Sequence, residues 1–433
     1  MAKKLSNKER LELVKNEILE IADKLGVPPR LLTVGQILNN TDKITSWDIR
    51  EVGGLTHLKK LHLNRDDSLD LAELQRGKNV QSYITSLEKR IGQEELLFET
   101  IASKLEEIEP IKLKSPYKAS RKKVETKREV NAALSDMHYG ALIKPEEIND
   151  VNSYSWVEAS RRTAYYIKNI IDYKPNKRHE VEQLNLFING DILQGIIHDR
   201  NYRNHDLLIH QVNGTLHILT HAIANLASNY KKVNVVCTPG NHGNAIHKRE
   251  GGNRVIVETY DSYANMVYYA LSASFRDTKN VEFKVPKTHY AFHDSIGGRM
   301  MITHGDVQFS RALGNPGTSL NVKSLSDAIT RFNAGEVAAG RKPVDLIMFG
   351  HVHFYSDFYT PCGVRVVTNP SLSGTDGFAH SLGINNSTSA QVLFESTKDY
   401  ILGDSRLVQL NEADDMKSLD KIIPTFNKEL KWN

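Results

Sequence analysis

Cysteine is nearly missing from this chain. Cys237 and Cys362 are the only two among 433 residues, and neither belongs to a C-x-x-C pair. A disulfide framework and a cysteine-based structural zinc site are therefore excluded, and a reducing compartment fits best. Long apolar runs are missing too, so no membrane span is expected. The opening stretch, MAKKLSNKERLELVKNEILE, carries lysines but not the apolar core of a secretory signal, which makes the cytoplasm the expected location. Charge of one sign is scarce as well: the net value is +4, too mild to argue by itself for a nucleic-acid partner. Nor is any internal repeat visible. What remains is an ordinary globular composition, long enough for two or three domains and at least one sizeable core.

Histidine is what the chain does have, at seventeen, several of them beside Gly or Asp. The organisation along the chain shows where they fall. Residues 9–25 place apolar side chains at helical spacing and run into Gly26 and Pro28-Pro29, a stop signal. Residues 31–63 read as short helices separated by Asn39-Asn40 and Gly53-Gly54. A further helix is expected from about residue 82 to 109. Its stripe of Ile84, Leu87, Ile91, Phe98, Ile101, Leu105 and Ile108 steps alternately by three and four, interrupted at Glu94. That heptad-like seam either joins two subunits as a coiled coil through residues 84–108 or docks the helix on its own domain. Pro110 ends it. The segment IKLKSPYKASRKKVETKRE then carries eight Lys or Arg and reads as a solvated linker. The expected units are thus a helical one over residues 1–80, the seam helix and basic linker over 81–129, an α/β domain over 130–411, and a polar tail over 412–433.

Within residues 130–411, strand-like runs alternate with amphipathic helices. NAALS precedes a helix over 156–173, LNLFIN one over 207–230, and VNVVC one over 256–275. MMIT, DLIMF (after a helix over 325–339) and VRVVT are the later strands. Such alternation predicts an α/β domain with largely buried strands. Five of these runs end in chemistry-bearing residues: Asp136-Met137-His138, Gly190-Asp191, Gly240-Asn241-His242, His304-Gly305-Asp306 and Gly350-His351-Val352-His353. In open α/β sheets, ligands bind beyond the carboxyl ends of strands, so five such ends converge on one crevice. Oxygen and imidazole donors without thiolate suit Mn, Fe, Zn or Mg. Taken singly, D-x-H or H-G-D is a weak motif, and Asn-His after Pro-Gly is commonly a simple turn. Their joint occurrence in order, each after a strand, is not.

D-x-H, G-D, G-N-H, H-G and G-H-x-H in this order resemble the calcineurin-like metallophosphoesterase superfamily, over roughly residues 130 to 410. The resemblance implies a four-layer αββα sandwich with two metals at one edge, and the small helical domain read from the N-terminal residues precedes it. It implies that Asp136, His138 and His353 hold one ion, that Asn241, His304 and His351 hold the other, and that Asp191 bridges them. Manganese is the first expectation for both ions, with iron, zinc and magnesium as alternatives. His242 is implied to face the phosphate and protonate the leaving oxygen. Two departures stand out. Gly243 follows His242 where the family commonly has an aspartate that would orient the histidine. Gln194 also stands where nuclease relatives often carry a histidine.

Three features point to DNA as substrate and partner. Residues 31–63 resemble small helix-turn-helix-type modules found beside phage and homing nucleases, or else they form a helical packing domain. The linker over 112–128 is basic, as phosphate contacts require, although such runs are commonly just solvated. The loop GNAIHKREGGNR brings His247, Lys248, Arg249 and Arg254 near the expected metals, and HDRNYRNHD (198–206) is similarly polar. The expectation is a DNA nuclease resembling phage-encoded and double-strand-break-repair types, acting in the host cytoplasm if phage-borne. The alternative is a phosphatase or phosphodiesterase acting on nucleotides or phosphoproteins.

Overall fold

The computed structural model describes residues 6–26, 32–52, 127–173, 183–196, 205–244, 261–307, 309–314, 320–383 and 389–416, with isolated positions between and beyond them. The chain divides into two units, Met1–Ala102 and Ser103–Asn433. In the first, the helix Asn7–Leu25 starts at a Ser6–Glu9 capping box and stops at Gly26, whose left-handed φ of 60° closes the last turn. Two short helices follow, Val34–Leu38 and Ser46–Glu51, each opened by a capping box. Val14, Ile18, Ile21, Leu32, Ile37, Ile44 and Ile49 form their shared core. The seam from Ile84 to Leu105 lies outside the described residues.

The second unit is built on two sheets. The first holds β1 (Glu129–Leu134), β2 (Gln183–Asn189), β3 (Lys232–Thr238) and β4 (Val281–Lys284), closed on its other side by β10 (Ala390–Ser396) and β11 (Ser405–Gln409), in the order β11-β10-β1-β2-β3-β4. β1 to β4 run parallel, and β10 and β11 pair antiparallel. The second sheet orders β5 (Tyr290–Ser295), β6 (Gly298–Thr303), β7 (Leu346–Phe349), β9 (Arg365–Thr368) and β8 (Ser356–Tyr359).

Alternation along each strand divides the core into layers. In β1, Val130, Ala132 and Leu134 face the helices Trp156–Asp172, Leu208–Asn229 and Tyr263–Ser274, whereas Ala133 faces the other way. Ala133, Phe187, Val236 and Phe394 of the first sheet meet Met300, Ile302, Met348 and Val367 of the second. The far side of the second sheet, with Met301, Ile347, Phe349 and Val366, packs on Leu325 and Ile329 of the helix Val322–Ala338. Helices, sheet, sheet, helices: the result is the αββα sandwich that the resemblance implied. Because both faces of the sheets are covered, the central strands read as continuous apolar runs. The expected helices appear with their ends moved: the one expected from 325 starts at Val322, and the described part of the one expected over 256–275 is Tyr263–Ser274. Among the described residues, no helix is long and apolar enough to cross a membrane.

Candidate metal centre

The carboxyl ends of β1, β2, β3, β6 and β7 lie side by side, and each releases its motif within a few residues of the last ladder bond. Asp136 follows β1, Asp191 follows β2, Asn241 follows β3, His304 follows β6, and His351 and His353 follow β7. The chain must turn sharply at each end to aim a side chain into the crevice. Among the described residues, eight non-glycine residues have left-handed φ, and five belong here: Asp136 (51°), His138 (43°), Asp191 (46°), His351 (68°) and His353 (63°). Each such conformation costs on the order of 1–3 kcal/mol, and this concentration is typical of a site the surrounding fold overdetermines. Gly240 makes one close approach tolerable. A Cβ there would sit 2.2 Å from Asp191 Oδ1 and 2.4 Å from its backbone nitrogen.

The side chains converge in three overlapping groups whose ligand atoms lie within 4.8 Å of one another: Asp136 with His138 and His353, His138 with Asp191 and His242, and Asp191 with His304 and His351. His351 and His353, two residues apart, thus serve different groups. His138 Nε2 and His353 Nε2 face each other at 3.2 Å, and His353 Nε2 lies 3.3 Å from Asp136 Oδ1. His304 Nε2 approaches Asp191 Oδ2 to 2.9 Å. Asn241 Oδ1 is buried without a hydrogen-bond partner. A buried acceptor left unpaired is costly unless something positive completes it. The donor set, oxygen and imidazole only, fits two divalent cations.

The surrounding groups hold these side chains in place. Ser135 Oγ donates to Asp136 Oδ2 at 2.5 Å, and the His351 backbone N–H donates to Asp136 Oδ1 at 3.1 Å. His304 Nδ1 donates to the Asn189 carbonyl at 3.0 Å, which leaves Nε2 facing the crevice. His138 Nδ1 does the same toward Gln194 Oε1 at 3.0 Å. The His242 backbone N–H donates to Asp191 Oδ1 at 2.8 Å. His242 Nδ1 donates to the Gln194 carbonyl at 2.9 Å, and the ring stacks edge-on against His138 with centroids 4.5 Å apart. The aspartate expected to orient His242 is thus replaced by a backbone oxygen. Gln194 orients two histidines, a role that the sequence did not signal; nor did it signal those of Ser135 and the Asn189 carbonyl.

The electrostatics without metal are those of a compressed anion–imidazole cluster. Burial drives His138 well below its ordinary value, helped by His242 and His353, and takes His351 down to about 3. Burial opposes the charges of Asp136 and Asp191, yet their imidazole neighbours hold both carboxyls below the usual range. Burial also lowers His304, but Asp191 outweighs it and lifts the imidazole to about 10. Of the remaining expected site residues, Lys248, Arg249 and Arg254 lie outside the described residues, as do His247 and most of residues 198–206.

Comparison with known proteins adds fold-level likeness only. No family model matches the sequence, and no curated protein matches it either. Among solved structures, it is similar to a predicted phosphoesterase from Streptococcus pneumoniae (10% identity, 65% of this chain and 98% of that one, TM-score 0.26). It is also similar to a dimetal phosphatase from Danio rerio (10%, 65% and 98%, TM-score 0.32). A 5'-nucleotidase from Candida albicans matches at 10% identity over 72% of this chain and 56% of that one, with a TM-score of 0.31. At such scores none of these likenesses carries weight for function, which rests on the side-chain geometry.

Proposed function

We propose that this chain hydrolyses phosphoesters with two divalent cations. One is held by Asp136, His138 and His353, the other by Asn241, His304 and His351, and Asp191 is shared. The observation that carries this reading is the position of Asp191, whose carboxylate is grouped with His138 on one side and with His304 and His351 on the other. Two cations bound there supply charge neutralisation at the phosphoryl oxygens and a more acidic water. The protein's own residues do the rest. His242, oriented through Nδ1, presents Nε2 to the crevice and gives its proton to the leaving oxygen.

The substrate we propose is DNA, cut at phosphodiester bonds, with manganese as the first choice of metal. The basic segments bearing Lys248, Arg249 and Arg254 begin two residues beyond His242, at Asn244, and the polar segment over 198–206 leaves from beside Gly195, which abuts His242. The described positions that flank them thus lie beside His242, and backbone phosphates would lie at that crevice. The test uses wild type and Asp191→Asn with Mn²⁺ on three substrates: bis-p-nitrophenyl phosphate, a nucleoside monophosphate, and labelled duplex and single-stranded DNA resolved on a sequencing gel. Cleavage of the bis-ester and of DNA, lost in the variant, is the expected result. Hydrolysis of monoesters alone would favour the phosphatase reading, and wild-type inactivity on all three with every divalent metal would overturn both.

A further inference from the structure

Gln211 is a buried amide in the first turn of the helix Leu208–Asn229, fully inaccessible to solvent. An apolar side chain would serve the core as well or better at that depth, because a buried amide must find partners for both its ends. Gln211 finds them in the backbone of the loops that carry the site. Its Oε1 accepts from the Gly195 N–H at 2.7 Å, and its Nε2 donates to the Asp206 carbonyl at 2.8 Å. Three strips of chain meet at this point. Tyr139 bridges to Leu193, Ala141 bridges to His205, and the Asp206 N–H donates to the Gly140 carbonyl at 2.7 Å. One strip leads from His138, and another carries Gln194.

What Gln211 holds is pressed directly on His242. Gly195 has a φ of 66°, and a Cβ there would lie 1.8 Å from the His242 carbonyl oxygen, so the loop has no slack. One residue earlier, the Gln194 carbonyl and side-chain oxygen accept from His242 Nδ1 and His138 Nδ1. We propose that Gln211 is a positioning residue of the site. It pins Gly195, and thereby fixes Gln194 so that His242 and His138 both hold an N–H on Nδ1 and aim Nε2 into the crevice, where His242 carries the proton it transfers and His138 offers a lone pair. Hydrogen-bonded support of this kind is worth roughly 10- to 100-fold in activity or metal affinity.

The inference rests on the acid role given to His242 above, and the experiment separates the two. Wild type, His242→Asn, Gln211→Leu and Gln211→Glu are assayed with Mn²⁺ on phosphodiesters with a nitrophenolate or an alkoxide leaving group, with bound metal and melting temperature measured alongside. Gln211→Glu is close to isosteric but loses both Nε2 contacts and sets a carboxylate oxygen against the Asp206 and Gly195 carbonyls, so it loosens the pin without the volume change that could keep the Leu variant from folding. The expected result is that both Gln211 variants lose turnover preferentially on the alkoxide ester, on the order of tenfold or more, with KM little changed, in the pattern of His242→Asn. If His242→Asn shows that preference and folded Gln211 variants lose both esters equally or neither, Gln211 is structural and the inference falls. If His242→Asn shows no preference, the acid assignment itself falls, whatever Gln211 does.

Discussion

At the residue scale the site is held under strain by its surroundings, and small intrusions should be felt. Gly240→Ala introduces a Cβ 2.2 Å from Asp191 Oδ1, and the backbone nitrogen beside it cannot yield cheaply. Turnover on bis-p-nitrophenyl phosphate should fall on the order of 10²-fold, the cost of misplacing a reacting group by about 1 Å; near-wild-type turnover would show that the crevice is looser than described. A second residue prediction lies away from the metals. Burial takes His293 down to about 4, its Nε2 has no hydrogen bond, and its ring packs edge-on against Phe187. An unfolded histidine titrates near about 6.5, so between those values the unfolded chain takes up a proton that the folded one refuses. Its contribution to stability is therefore complete above that range and lost as pH falls toward 4. His293→Gln should show a shallower fall in urea midpoint over that interval than wild type, and parallel profiles would remove His293 from the acid response. The ligand types were legible in the sequence because each motif sits after an apolar run. The hydrogen bonds of Gln194 and Gln211 were not, because they tie together groups on segments that only the fold brings side by side.

At the scale of elements, the inner face of the first sheet carries an amide ladder between the apolar layers. Asn234 Nδ2 donates to Asn185 Oδ1 at 2.7 Å, Asn185 Nδ2 to Asn131 Oδ1 at 2.9 Å, and Asn131 Nδ2 to Ser396 Oγ at 2.8 Å. The register places all three asparagines opposite one another, so the ladder fixes how β1, β2 and β3 align and hence where Asp136, Asp191 and Asn241 emerge. Asn185→Leu strands the oxygen of Asn131 and the amide of Asn234, at about 1–3 kcal/mol for each group left unpaired. A clear drop in the urea midpoint is expected; an unchanged midpoint would mean that the ladder is dispensable. The strands that carry the motifs were legible as apolar runs covered on both faces. β4, β5, β8 and β11 were not, since they are short or only half-buried and show no such run, and β10 was missed although every residue of it is buried. The second sheet's full extent was therefore implied by resemblance rather than read from its residues.

At the scale of the whole molecule, catalysis is assigned to the second unit and DNA affinity in part to the first. Two cations of that first unit are already engaged, Lys43 by Glu17 and Glu20 and Arg10 by Asp48, so phosphate contacts there would fall to other bases. Residues 103–433 alone should hydrolyse small phosphodiesters but bind duplex DNA more weakly than the full chain by fluorescence anisotropy. The gap should narrow as salt rises, because counterion release drives phosphate contacts. Equal affinities at low salt would leave the first unit a packing or protein-recruiting role. The truncation must not begin at residue 131: that would remove Glu129, which accepts from Gln183, Asn185 and Ser295 and anchors β1 to its neighbours. The central claim, however, is the paired metal site with Asp191 shared between its halves, and manganese binding read by electron paramagnetic resonance tests it most directly. The account predicts two Mn²⁺ per chain with an exchange-coupled spectrum, and loss of the coupling in Asp191→Asn. A single ion, or two uncoupled ions in the wild-type protein, would contradict it.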